Sequence, residues 1–98
     1  MKYLTLDGVG FGTGVRHTYE GGYVDLDELK ISGQLKKDIR TWISKYETAF
    51  FADFRDQGTV TALDEAGEKI AKRLSDELPL SKIVYYSEAR NERLHFPK

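Results

Sequence analysis

The sequence predicts an α+β fold, and three observations support this prediction. Short β-prone runs lie near both ends of the chain, at 2–6 and 82–87. Between them, apolar residues recur at helical spacing in two long segments. Glycine and proline separate these elements. We therefore expect an antiparallel sheet built from the N- and C-terminal strands, with two main amphipathic helices packed on one of its faces.

The first 24 residues predict strands that are joined by glycine-rich turns. The run 2–6 is β-prone, and 15–19 alternates between two sides of a strand. Between them, four glycines alternate with larger residues: Gly8, Gly10, Gly12 and Gly14. Their spacing does not match a phosphate-binding loop, and no helical pattern follows directly. We interpret the segment as a flexible hairpin or a bulged strand.

The middle of the chain predicts two helices after a short helical turn that Asp25 can cap. Ser32 is the predicted cap of the first helix, whose apolar stripe consists of Leu35, Ile39, Trp42, Ile43 and Tyr46. The second helix is predicted to begin at Thr61 or Asp64 and to end before Pro79. Its stripe consists of Leu63, Ala66, Gly67, Ile70, Ala71, Leu74 and Leu78. Residues 48–60 lack a clear period, so a connection of about a dozen residues is expected there.

The C-terminal part predicts one strand and a second strand that returns beside it. The run 82–87 is apolar on both faces, with Ile83 and Tyr85 on one face and Val84 and Tyr86 on the other. A turn follows, and 93–96 is expected to form the returning strand.

Composition predicts a single domain spanning 1–98 in the cytoplasm. Ninety-eight residues suffice for one core. The chain has no cysteine, no signal-peptide pattern at its N-terminus and no apolar run long enough for a membrane span. The formal net charge of −1 gives little attraction for nucleic acid, and no basic stripe with interleaved aromatic residues is present. We expect no nucleic-acid partner and no membrane association.

No motif for catalysis, metal binding or a cofactor is present in the sequence. His17 and His95 are the two histidines, and nothing in their spacing brings them together. The serines lie in no nucleophile-elbow pattern, and Asp53 and Asp56 supply too few ligands for a calcium or magnesium loop. We therefore predict a protein that is not an enzyme and that has no cofactor. The alternatives left open are a small nuclease-like enzyme using His17 or His95, and an oligomerising domain without a specific ligand.

The segment 48–78 is the candidate binding region. It holds seven acidic and four basic residues, whereas 79–98 has a surplus of bases. Such a charge excess can steer a basic partner. Phe54 lies between two aspartates, so it can serve as an apolar anchor inside a charged rim, although packing into the core is the simpler interpretation. The predicted partner-binding residues are Asp53, Phe54, Asp56, Asp64, Glu65 and Glu68.

A stretch from Leu29 to Tyr86 resembles a family of small bacterial proteins. The resemblance rests on the segments 29–32, 42–47, 63–67, 71–74 and 82–86. They are similar to the single-domain immunity proteins of polymorphic toxin or contact-dependent growth inhibition systems. This resemblance implies a bacterial protein that binds and neutralises a cognate toxin domain. It carries over no interface residue, because the matching positions are mostly in helix cores.

Overall fold

The computed structural model describes residues 2–8 and 12–87, and the backbone of 92–94. Its elements follow in the order β1 (Lys2–Asp7), β2 (Val15–His17), a 3-10 turn (Leu26–Glu28), α1 (Gly33–Phe51), α2 (Gln57–Glu77), β3 (Ser81–Ser87) and β4 (Glu92–Leu94). This arrangement confirms the predicted α+β class. It also confirms the helical turn before α1, where the Asp25 carboxylate accepts a hydrogen bond from the Asp27 amide at 2.9 Å.

The sheet is mixed, and the prediction of an antiparallel sheet is wrong for its central pair. The strand order is β2-β1-β3-β4, and the two outer pairs are antiparallel. The central strands β1 and β3 run parallel, with Leu4 opposite Ile83 and Leu6 opposite Tyr85. Both helices lie between these two strands in the chain, and parallel pairing requires a long crossover of this kind. Of the predicted returning strand, His95 and Phe96 lie outside the described residues.

The core lies between the helices and one face of the sheet, as predicted. Leu4, Leu6, Ile83 and Tyr85 point from the sheet into a cluster that includes the stripes of both helices. Trp42 is 3% exposed, and its indole N–H donates to the carbonyl oxygen of Leu63 at 2.9 Å. The predicted burial of this ring is therefore confirmed.

Close packing of α2 on β3 depends on Gly67. A Cβ added at this glycine would lie 2.5 Å from two ring carbons of Tyr85. Because glycine has no side chain, the α2 backbone rests directly on the tyrosine ring. A helical glycine usually weakens a helix by up to about 1 kcal/mol, and here it permits the contact between helix and sheet.

The two helices begin at capping side chains. At α1 the Ser32 hydroxyl accepts a hydrogen bond from the Leu35 amide at 3.1 Å, which confirms the predicted cap. At α2 the cap is Asp56, whose carboxylate accepts from the Gly58 amide at 2.9 Å. The predicted caps Thr61 and Asp64 are wrong, because both lie inside the helix. Glycine and β-branched residues at 58–61 lower helix propensity, but the burial of Val60 holds this first turn in place.

Within the described ranges, no helix is long and apolar enough to cross a membrane.

Candidate functional site: the turn between the helices

The connection between α1 and α2 is a tight turn of residues 52–56, rather than the dozen residues expected. It ends α1 in a Schellman motif. The Phe54 amide donates to the Ala49 carbonyl at 2.9 Å, and the Asp53 amide donates to the Phe50 carbonyl at 2.9 Å. These bonds satisfy carbonyl groups that the end of a helix leaves without partners. The turn is therefore a rigid feature, despite its place at the end of a helical hairpin.

The backbone of the turn has an unusual conformation for its sequence. Asp53 has φ of 58° and Phe54 has φ of 51°. In a Schellman motif the left-handed position is usually a glycine, because other side chains cost roughly 1–2 kcal/mol there. Here Asp53 and Phe54, neither of which is glycine, both adopt the left-handed conformation. Such local strain is concentrated at functional sites, so the turn is a candidate site.

Phe54 supports the turn from inside and is not the exposed anchor that the sequence suggested. It is half-buried, with its ring centroid 5.6 Å from that of Tyr46 and 6.0 Å from that of Phe50. The exposed rings are Phe50, at 47%, and Phe51, at 70%, and their centroids are 5.7 Å apart. The sequence held a signal for this arrangement. Ala49 is the last buried residue of α1, and both phenylalanines follow it in the sequence.

The acidic groups of the turn differ in what they contact. Asp53 is exposed and lies 3.8 Å from the Arg55 guanidinium, in a pair whose side chains are both more than 80% exposed. Such an exposed pair contributes little to stability. The hydrogen bond from the Thr59 hydroxyl lowers the pKa of Asp56 below its ordinary value, and the backbone amides of Thr59 and Gly58 add to this effect. Asp56 is thus an α2 cap, whereas the Asp53 carboxylate faces solvent.

Asp64 lies in the interior, which corrects its assignment to a partner surface. Its side chain is on the sheet side of α2, and the residue is 4% exposed. The Tyr85 hydroxyl donates to its carboxylate at 2.7 Å. Burial raises the pKa of Tyr85, and the hydrogen bond to Asp64 raises it further. Helical spacing could have indicated this, because position 64 follows Val60 by four residues and precedes Ala71 by seven, and both of these residues are buried.

The remaining predicted acids lie further along α2. Glu65 is exposed and Glu68 is half-buried, and both line a shallow depression together with Lys69 and Lys72. At 1.5 Å per residue, Glu68 is about 16 Å along the axis from the start of α2. The predicted acidic surface is therefore divided. Asp53 lies at the turn, and the two glutamates lie beside lysines.

An open groove runs between the two helices next to the turn. Trp42 and Leu63 contribute the large apolar side chains of its lining. The lining residues from the two helices are Thr41, Trp42, Lys45, Thr48, Thr59, Ala62, Leu63 and Ala66. Thr48 and Thr59 place one end of this groove close to the turn.

The alternative of an enzyme that uses a histidine has no supporting cluster of catalytic groups among the residues that the structure describes. His17 is half-buried at the end of β2, and His95 lies outside the described residues. In the portion of the chain that the structure covers, no group of three or more histidine, cysteine, aspartate or glutamate side chains could hold a metal ion.

Comparison with known proteins assigns the chain to a family. A search of the curated proteins found no match. A family model described as "Serratia CdiI immunity protein-like" matches residues 13–89, which include both helices, the turn between them and β3. Since this match covers more than three quarters of the chain, the protein belongs to the Serratia CdiI immunity protein-like family.

Proposed function

We propose that this protein is a cytoplasmic, non-enzymatic inhibitor that binds a cognate bacterial toxin domain and neutralises it. The observation that carries the proposal is the family match across residues 13–89. A stable inhibitor needs a preformed contact surface. The fold offers one at the turn between α1 and α2, where helix ends hold exposed apolar rings in fixed positions.

The proposed toxin contact is the helix tip, which we define as Phe50, Phe51, Asp53 and Arg55. Its two phenylalanines are among the few large apolar side chains that the described residues leave exposed. Aromatic anchors surrounded by polar groups dominate the energy of many interfaces. Phe54 and the Schellman hydrogen bonds fix the backbone below these rings, so little ordering entropy is lost when a partner binds.

The acidic residues of this region favour a basic partner surface. Asp53 is an exposed acid of the tip, whereas Glu65 and Glu68 lie further along α2 beside two lysines and contribute less. Opposite charges accelerate association more than they tighten the final complex. Asp56 takes part in the proposal as the cap that holds the tip, and Asp64 has no part in it because it is buried.

The first experiment tests the function itself. A toxin domain encoded beside this protein is expressed in bacteria with and without it, and growth is followed. We expect growth to be restored, and we expect the purified toxin domain to bind the inhibitor. Continued toxicity when the protein is folded and abundant would contradict the proposed function.

A second experiment tests the helix tip within that function. Phe51→Ala should speed dissociation of the complex, because an exposed anchor is lost. Asp53→Lys should slow association, most strongly at low salt. The matched controls are Tyr19→Ala and Glu20→Lys, which remove an exposed ring and reverse an exposed charge elsewhere. If the tip variants bind as tightly and as fast as the controls, the contact surface lies elsewhere.

A further inference from the structure

The face of the sheet opposite the helices carries a second group of exposed aromatic side chains. Tyr3 is 42% exposed and Tyr19 is 77% exposed, and their ring centroids are 5.3 Å apart in an edge-to-face arrangement. Tyr23, at 38% exposed, lies further along the same face. Tyrosine supplies a large amphipathic contact area with few rotatable bonds, so such residues are enriched where proteins bind one another.

A network of partly buried hydrogen bonds holds this face in place. The Asp7 carboxylate is 1% exposed and accepts hydrogen bonds from Arg16 at 2.5 Å and from the Tyr23 hydroxyl at 2.7 Å. Nearer the start of β1, the hydroxyl groups of Thr5 and Thr18 lie 2.8 Å apart. These contacts fix the segment after β2 against β1. The exposed tyrosines therefore lie on an ordered platform rather than on a free loop.

A small cleft opens beside the two paired rings. We call it the tyrosine cleft, and its lining residues are Lys2, Tyr3, His17, Tyr19 and Glu20. Its volume of about 210 Å³ is below the roughly 300–1,000 Å³ of sites for small organic ligands. A cleft of this size suits a side chain that projects from a protein partner.

The charges around the cleft indicate the chemistry of that partner. Lys2 lines the cleft, and Lys82 lies on the neighbouring strand directly opposite Tyr3 in the parallel register; both side chains are exposed. The one acid in the lining is Glu20, while Asp7 on the same face is buried and paired with Arg16. Tyrosine hydroxyl groups and lysine ammonium groups both donate hydrogen bonds to carboxylates.

The cleft and the helix tip lie at opposite ends of β1. Lys2 starts the strand, opposite Ser81 at the start of β3. At the other end, Gly8 lies against the Tyr46 ring, which in turn contacts Phe54 below the helix tip. The two surfaces also lie on different layers of the fold, so one partner at the tip leaves the cleft accessible.

We propose that the tyrosine cleft is a second binding surface, which takes an acidic segment of a protein partner independently of the toxin contact. A carboxylate side chain of that segment lies beside Lys82, which is on the same face of the sheet as Tyr3, and accepts hydrogen bonds from the tyrosine hydroxyl groups. Neighbouring apolar groups of the partner cover the faces of Tyr3 and Tyr19. The proposal does not depend on the toxin-binding role of the helix tip.

The test is an NMR titration of the whole protein with a synthetic peptide rich in glutamate and interspersed with leucine. We expect the backbone signals of Tyr3, Tyr19 and Lys82 to shift in a saturable way. Tyr19→Ala and Lys82→Glu should each weaken the affinity at least about threefold, since each removes an exposed contact or charge. The control variant Lys69→Glu, which reverses an exposed charge on the helical layer, should leave the affinity unchanged.

Two further probes decide the chemistry. A peptide of the same design with lysine in place of glutamate should cause no saturable shift at the cleft. A single-stranded oligonucleotide should also bind more weakly than the acidic peptide. Binding of the oligonucleotide in preference to the peptide, or equal binding of both peptides, would overturn the proposal. A uniform response of all variants to the acidic peptide would overturn it as well.

Discussion

At the scale of single residues, Asp53 combines a strained backbone with an exposed side chain. Its φ of 58° is at the position where a Schellman motif usually has glycine. We predict that Asp53→Gly raises the free energy of unfolding by about 0.5–1 kcal/mol, because the strain relieved exceeds the extra entropy of glycine in the unfolded chain. Denaturant unfolding measures this change.

A matched substitution within α2 gives the opposite sign. Glu65→Gly also removes an exposed acid, but it places glycine inside a regular helix, so it should lower the stability by about 0.5–1 kcal/mol. If Asp53→Gly destabilises the protein as much as Glu65→Gly does, the left-handed backbone at the turn carries no strain. The interpretation of the turn as a site would then lose its support from geometry.

Tyr85 and Asp64 form a buried polar contact between α2 and β3. The hydroxyl donates at 2.7 Å to a carboxylate that is 4% exposed. Tyr85→Phe keeps the ring but removes the donor, which we predict to cost about 1–3 kcal/mol because the carboxylate loses a hydrogen bond in the interior. Thermal or denaturant unfolding measures the loss. A variant as stable as the wild type would mean that water or another donor replaces the hydroxyl.

At the scale of elements, the sequence predicts the helices better than the sheet. The stripes of Leu35 to Tyr46 and of Leu63 to Leu78 have helical spacing. α1 contains the first stripe, and α2 contains the second except for Leu78, which is its C-cap. The start of α2 was not predicted, because glycine, threonine and valine at 58–61 hide it and the burial of Val60 is a tertiary effect. One feature of the sequence indicated the parallel pairing of β1 and β3: the β3 segment is apolar on both faces, as the central strands of parallel sheets often are.

The burial of the predicted partner-binding residues follows from the sequence only in part. Asp53 is exposed at the turn, but Phe54 and Asp64 face inwards. Sequence order gives no information on which of three nearby phenylalanines the Schellman turn directs into the core. That choice depends on a left-handed backbone at Asp53 and Phe54. Aspartate is enriched in this conformation, but phenylalanine is not, so the sequence does not predict it.

The charged cap of α2 should make the stability of the protein depend on pH. Since the pKa of Asp56 is lowered in the folded protein, the charged cap stabilises the fold above the unfolded-state pKa of about 3.9. This stabilisation is lost as the pH falls through the lower pKa of the folded state. We therefore expect Asp56→Ala to lower the melting temperature at pH 7, and the difference from wild type to shrink progressively below about pH 4.

The control for this prediction is Asp56→Asn. Asparagine keeps a capping oxygen but does not titrate, so this variant should remain close to the wild type at neutral pH. A gap between wild type and Asp56→Ala that stays constant down to pH 2 would contradict the assignment of the charged carboxylate as the cap.

At the scale of the whole molecule, Trp42 joins both helices to the sheet. Its indole donates to the α2 backbone at Leu63, and its ring centroid lies 5.3 Å from that of Tyr46 on α1 and 5.9 Å from that of Tyr85 on β3. The three contacts close the core around one side chain. We predict that Trp42→Ala lowers the free energy of unfolding by about 3–5 kcal/mol, because a large cavity remains where three elements meet.

This loss is large in comparison with the roughly 5–15 kcal/mol by which small domains are stable, so the variant should be partly unfolded under mild denaturing conditions. Denaturant unfolding measures the change, with Phe51→Ala as the control. Phe51 is also a large aromatic residue of α1, but at 70% exposed its removal should change stability by less than about 0.5 kcal/mol. A loss below about 1 kcal/mol for Trp42→Ala would mean that the helices and the sheet hold together without this ring. In that case the groove above it would collapse or open at little cost, and the helix tip would lose the rigid base on which the proposed toxin contact depends.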